Sequence, residues 1–368
     1  MKLLHTTHNS LLYNRIMEFE NINGNCISVI SEYIPDYISF AMVSRQFRDS
    51  WVGEKKTSRE LLEKYVKNGN FEMVKFYIKN GYPHWWKEDI CRIAAYYGHL
   101  EILKYAISEG CPWNEQVCRN AALNGHLEIL KWVRSEAEGC PWDEKVCENA
   151  AKNGHLEILK WARSKGYPWN ERTCSNAALN GHMETLEWAR SEGCLWNEDV
   201  CSCASLNGHL ETLKWARSQG CPWDECVYWS AEDNNHLEII KWARSEGCPW
   251  DKEGVCSNVA GNGHLEILKW ARSEGCPWDK GTCSSAAYNG HLEILKYARS
   301  EGCPWDKYTC SNAASGGYLE VLKWARSQGC PWDEWVCINA KLGGHLEVLK
   351  WAKSNGCPQF RWDENELL

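Results

Sequence analysis

The chain has 368 residues, a formal net charge of −8, 23 tryptophans and 21 cysteines. An acidic balance with both signs mixed along the chain lacks the basic footprint that nucleic-acid binding needs. No run of roughly 18 apolar residues is present, so neither a membrane span nor a membrane partner is expected.

In chain order, residues 1–17 lack a continuous apolar stretch and read as a disordered leader rather than a signal peptide, with Met17 an alternative start. A cytoplasmic location is the expectation. Residues 18–57 follow. Ile27, Val29, Ile30, Tyr33 and Ile34 predict one helix ending at Pro35-Asp36, and Phe40, Ala41, Val43 and Phe47 predict another. The phrase from Ile30 to Arg48, an apolar helix, an acidic turn and then Val43-Ser44-Arg45-Gln46-Phe47-Arg48, resembles an F-box. The Leu-Pro opening usual in that family falls near Ile22-Asn23, without the Pro. The resemblance implies docking on the Skp-type adaptor of cullin–RING ubiquitin ligases through Ile30, Ile34, Pro35, Phe40, Val43 and Phe47. Read from the residues alone, the same segment is a helical cap that shields the first repeat.

From 58 to 357 one phrase recurs about eleven times, most fully Asn-Gly-His-Leu-Glu-Ile-Leu-Lys-Trp-Ala-Arg-Ser-Glu-Gly-Cys-Pro-Trp-Asp. The step between its Gly-His pairs is 27 residues, stretched to 28 once and 29 twice. A fixed period in this range predicts a stack of supersecondary units rather than one globular core. Residues 358–368 form a tail.

Within a unit, Asn114 is a good helix N-cap, because its side-chain oxygen can accept from an unpaired first-turn amide. Val117, Cys118, Ala121 and Ala122 then form one stripe of a first helix. Asn124-Gly125 ends it, and His126 to Glu138 forms a second helix with Leu127, Leu130 and Val133 on one face. Gly139 and Pro141 stop that helix, so each unit is helix–turn–helix and the fold class is an all-α repeat solenoid.

The Ala-Ala pair followed by Asn-Gly-His-Leu-Glu-(Ile/Val)-(Leu/Val)-Lys resembles the ankyrin repeat. The ankyrin period is longer, about 33 residues, and the stretch absent here is the one that carries the β-hairpin finger. The resemblance implies an ankyrin-like stack with shortened or absent fingers. With the F-box-like segment, the layout is similar to F-box/ankyrin proteins of large DNA viruses, which would place it in a host cytoplasm.

Three residue types recur in columns. Cysteines fall in a loop column and a helix column; members of one column lie one repeat apart, roughly 8–10 Å, beyond the about 7 Å a disulfide allows. They read as small buried hydrophobes, all reduced. The histidines, one per repeat, read as structural groups bonding the backbone of adjacent turns. The two tryptophan columns read as inter-repeat packing. No catalytic set, metal site or cofactor is expected.

The positions where copies disagree carry the functional expectation. Two residues after the cap stand Gln116, Lys145, Arg172, Asp199, Tyr308 and Trp335. Five after it stand Arg119, Glu148, Trp229 and Ile338, and nine after it Tyr288. Offsets of three and four put these on one helix face, opposite the invariant stripe, and this face is expected to bind a target protein, most tightly in the C-terminal copies. The predicted function is a monomeric, non-enzymatic interaction module acting as a ubiquitin-ligase substrate receptor; the alternative is a ligase-independent scaffold.

Overall fold

The computed structural model describes residues 62–79, 87–136 and 143–358. It separates into two compact units, Met1–Pro168 and Trp169–Leu368. Every regular element among the described residues is a helix.

In the first unit, Lys87–Tyr97, Glu115–Leu123 and Glu144–Lys152 are first helices of successive repeats, and Leu100–Ser108, Leu127–Glu136 and Leu156–Ser164 are the second helices. First helices pack on first helices, and each also packs on its own second helix. Asn114 caps as expected, its side chain accepting from the Gln116 amide at 3.0 Å. Val117, Cys118, Ala121 and Ala122 are all buried. The second-helix face differs by one position: Ile129 joins Leu130 and Val133 in the core, whereas Leu127 is only half-buried. Leu127 is the first residue of its helix.

The second unit repeats the plan with first helices from Glu171–Leu179 to Trp335–Leu342 and second helices from Met183–Ser191 to Leu346–Ser354. The core is thin and regular. A first helix gives small buried residues such as Cys283, Ala286 and Ala287, and its second helix gives Ile294, Leu295 and Ala298. Paired alanines let neighbouring first helices approach closely, because dispersion falls off steeply with any gap. One neighbouring pair, Cys226–Asp233 against Val255–Asn262, meets sparsely. Where ankyrins carry fingers, the links such as 111–114 have no regular structure. No described helix is long and apolar enough to cross a membrane.

Candidate functional site

Most invariant side chains are spoken for inside the stack, which leaves only certain positions for a partner. Histidine Nε2–H donates to a carbonyl of the preceding repeat: His126 to Tyr96 at 3.0 Å, His155 to Leu123 at 3.1 Å, His291 to Gly261 at 3.0 Å and His345 to Ser315 at 3.0 Å. The structural reading of this column therefore holds. The glycine before each histidine has a second duty beyond ending a helix. Gly125 has φ +81°, and a Cβ there would lie 2.9 Å from His155 Cε1 of the next repeat.

The tryptophan columns are likewise internal contacts. Trp305 meets Trp324 edge-on at 6.0 Å, and Trp332 meets Trp351 at 6.0 Å. Arg299 lies 4.2 Å over the Trp305 ring while its guanidinium donates to the Cys303 carbonyl. The exposed Lys–Glu pairs one turn apart on second helices, such as Lys131–Glu128 at 2.8 Å, contribute little in water.

The variable positions divide by offset. Two and nine residues after the cap, Lys145, Arg172, Asp199, Tyr288, Tyr308 and Trp335 are exposed, with Gln116 half-buried. Five after the cap the expectation of an open face fails. Glu148 is buried, and Arg119 and Ile338 are half-buried, because this offset faces the neighbouring first helix. Arg119 is committed to a repeat-to-repeat ion pair with Asp143, with Glu115 at 3.7 Å. Trp229 is the exception at this offset and remains 47% exposed. Large apolar side chains therefore stand out on the second unit: Tyr288 at 51%, Tyr308 at 57% and Trp335 at 50% exposure. The adaptor-binding positions Ile30, Ile34, Pro35, Phe40, Val43 and Phe47 lie outside the described residues.

The cysteine columns hold what the sequence reading missed. A helix cysteine faces the loop cysteine at the end of its own repeat, so partners come from different columns. The two side chains of a pair act on one another, Cys174 with Cys194, Cys201 with Cys221, Cys283 with Cys303, and Cys310 with Cys330. The loop thiol also donates to the cap carbonyl of its own repeat, Cys303 to Asp279 at 3.3 Å and Cys330 to Asp306 at 3.4 Å. The Cys303 side chain and burial both hold the Cys283 thiol protonated, while the Cys283 side chain lowers Cys303. The expectation that all cysteines are reduced fails at Cys118, which is disulfide-bonded. Every other described cysteine is outside any disulfide. The signal was present in the recurring separation between the paired columns, and in two copies that break the pattern with tyrosine: Cys147 with Tyr167, and Tyr228 with Cys248. Among the described residues no group of His, Cys, Asp or Glu has a metal-holding arrangement.

A family model described as "Ankyrin repeats (many copies)" matches residues 91–134 and 147–190. Ankyrin repeats are thus detected within the chain, and the same helix–turn–helix unit recurs in both compact units, so the fold is an all-helical, ankyrin-like repeat solenoid. Such repeats indicate a protein–protein interaction module. No curated protein sequence matches. Among solved structures, the pentatricopeptide repeat protein PPR10 in complex with an 18-nt psaJ RNA element is similar at 12% identity and a TM-score of 0.41, over 94% of this chain and 58% of that one. A cysteine-to-serine variant of PPR10 with the same RNA element matches equally, with 12% identity and a TM-score of 0.41. The chain spans 58% of the length of those proteins, and at that score the likeness is no basis for assigning a ligand.

Proposed function

We propose that the C-terminal repeats grip a target protein and that residues 18–57 recruit a ubiquitin ligase through a Skp-type adaptor, so that the chain serves as a substrate receptor. The observation that supports target binding is the exposure of Tyr288, Tyr308 and Trp335 on first helices, joined on the last of these by Leu342. Interface energy concentrates in a few aromatic anchors. The exposed charges Lys145, Arg172 and Asp199 act on encounter rate and orientation. Support for the ligase half is the F-box-like phrase from Ile30 to Arg48.

The two halves separate experimentally. Full-length chain is captured from eukaryotic cells and its companions are identified by mass spectrometry. Joint substitution Tyr308→Ala and Trp335→Ala is expected to cost about 2 kcal/mol or more in affinity for the captured target, with helical content unchanged. Normal affinity combined with early melting would make these side chains packing residues. Joint Ile34→Glu and Val43→Glu is expected to release the adaptor and keep the target; retained adaptor overturns the ligase half and leaves the interaction module standing.

A further inference from the structure

The paired cysteines are more than small core residues. Cys310 Sγ donates to the Cys330 carbonyl at 4.0 Å and Cys256 Sγ to the Cys276 carbonyl at 3.9 Å, so the helix thiol lies against the backbone of its loop partner. The loop thiol is turned back toward the same repeat, as the Cys303 and Cys330 bonds to the cap carbonyls show. Each pair therefore joins the start of a repeat's first helix to the end of that repeat. Cys118, a member of the helix column, is already in a disulfide. In the Cys283–Cys303 pair the loop thiol is the lowered one, so it is the better nucleophile and the helix thiol is left to resolve.

We propose that these helix–loop cysteine pairs are sites of intramolecular disulfide formation that close individual repeats on themselves when a small-molecule disulfide of the glutathione type is the oxidant. The Cys303 thiolate attacks one sulfur of the oxidant, forming a mixed disulfide and expelling one small thiolate. The Cys283 thiolate then attacks the Cys303 sulfur, forming the Cys283–Cys303 bond and expelling the second. The two cysteine protons leave with the two small thiols: the cysteines are oxidised by two electrons and the oxidant is reduced by two. Burial makes the reaction wait on local opening of a repeat, and opening is easiest where packing is least complete. Cys337 and Cys357 are 7% and 5% exposed, whereas Cys283, Cys303, Cys310 and Cys330 are fully buried. The last pair therefore reacts first.

The full-length chain, reduced and then exposed to glutathione disulfide under native conditions, is alkylated at intervals, digested and mapped by mass spectrometry. Cross-linked peptides are expected between each helix cysteine and the loop cysteine of its own repeat, with Cys337–Cys357 earliest, each with a loss of two hydrogens. Cys248, whose partner position holds Tyr228, is expected to stay out of cross-links. The unfolding midpoint is expected to rise as pairs close, and Cys337→Ser to remove only the Cys337–Cys357 product. Cross-links between members of one column, glutathione adducts without internal pairs, or a midpoint that falls on oxidation would each overturn the proposal.

Discussion

The repeats from Asp279 onward and the repeat opened by Asp224 share a plan but not all of its contacts. Both keep the edge-on indole pair, Trp305–Trp324 at 6.0 Å in the former and Trp223–Trp242 at 5.7 Å in the latter, and in the former Cys310 Sγ lies 4.0 Å from the Cys330 carbonyl oxygen. In the latter, Tyr228 stands in the helix-cysteine column and donates to the Cys248 carbonyl at 3.5 Å. Its ring stacks on Trp250 at 5.4 Å, and Trp250 stacks on Trp270 at 5.2 Å. Glu232 takes a position that alanine holds in most other copies, 2% exposed, with one carboxylate oxygen lacking a hydrogen-bond partner. Asn235 replaces the glycine at φ +63°. Beyond this repeat the next first helix, Val255–Asn262, begins after an inserted residue and meets its neighbour sparsely. The substitutions come as a set, so what recurs through the chain is a set of contacts, and residue identity follows from them.

The largest effect is expected at the indole pair that both regions share. Trp305→Ala removes both the Trp324 ring contact and the Arg299 stacking partner, and is expected to cost about 4 kcal/mol in urea unfolding. An effect under about 1 kcal/mol would show that the regular repeats do not depend on this pair. Glu232 is the next test. Burial raises its carboxyl to about 7, with Asp233 adding to the shift and the nearby Trp250 indole opposing it. A pKa raised on folding means that the protonated form is favoured in the native state. Its stabilising share is complete below the unfolded value of 4.5 and is lost as pH rises through about 7. Glu232→Ala should therefore stabilise by up to roughly 3 kcal/mol at pH 8, with the gain shrinking toward pH 5 in paired thermal melts. A gain independent of pH would assign the effect to packing alone. Smallest are the glycine exchanges. Gly263 has φ +86°, and a Cβ there would lie 2.8 Å from His291 Cε1. Gly263→Ala is expected to cost about 2 kcal/mol, whereas Asn235→Gly should gain at most about 1 kcal/mol. Equal and opposite shifts would mean that the irregular repeat is strained as much as the regular ones would be.

The helices, their caps and the buried stripe were legible because each rests on local chemistry: Asn114 caps its own second residue, and Val117 to Ala122 follow a helical period. The recognition face was legible only in part. Its limits depend on how closely first helices approach, which no single repeat reveals, and so Glu148 and Ile338 looked like surface. The cysteine ladder was missed for a related reason: spacing within one column says nothing about a partner in the other. Burial of Tyr308 or Trp335 against a neighbour would have left the same sequence pattern as their exposure, and only packing separates the two.

The histidine ladder has a consequence for heredity. Each repeat that has the histidine carries a donor for the carbonyl behind it and a carbonyl for the histidine ahead, so a gene segment coding one such period can be gained or lost by recombination with these bonds re-formed across the joint. Register tolerates no such freedom inside the unit. The sequence agrees: from Gly125 to Gly154 the two extra residues fall between Arg134 and Asp143, and from Asn235 to Gly263 the single extra residue falls between Trp250 and Val255. Both are joints between a second helix and the next first helix, where added length leaves the donor and acceptor positions untouched.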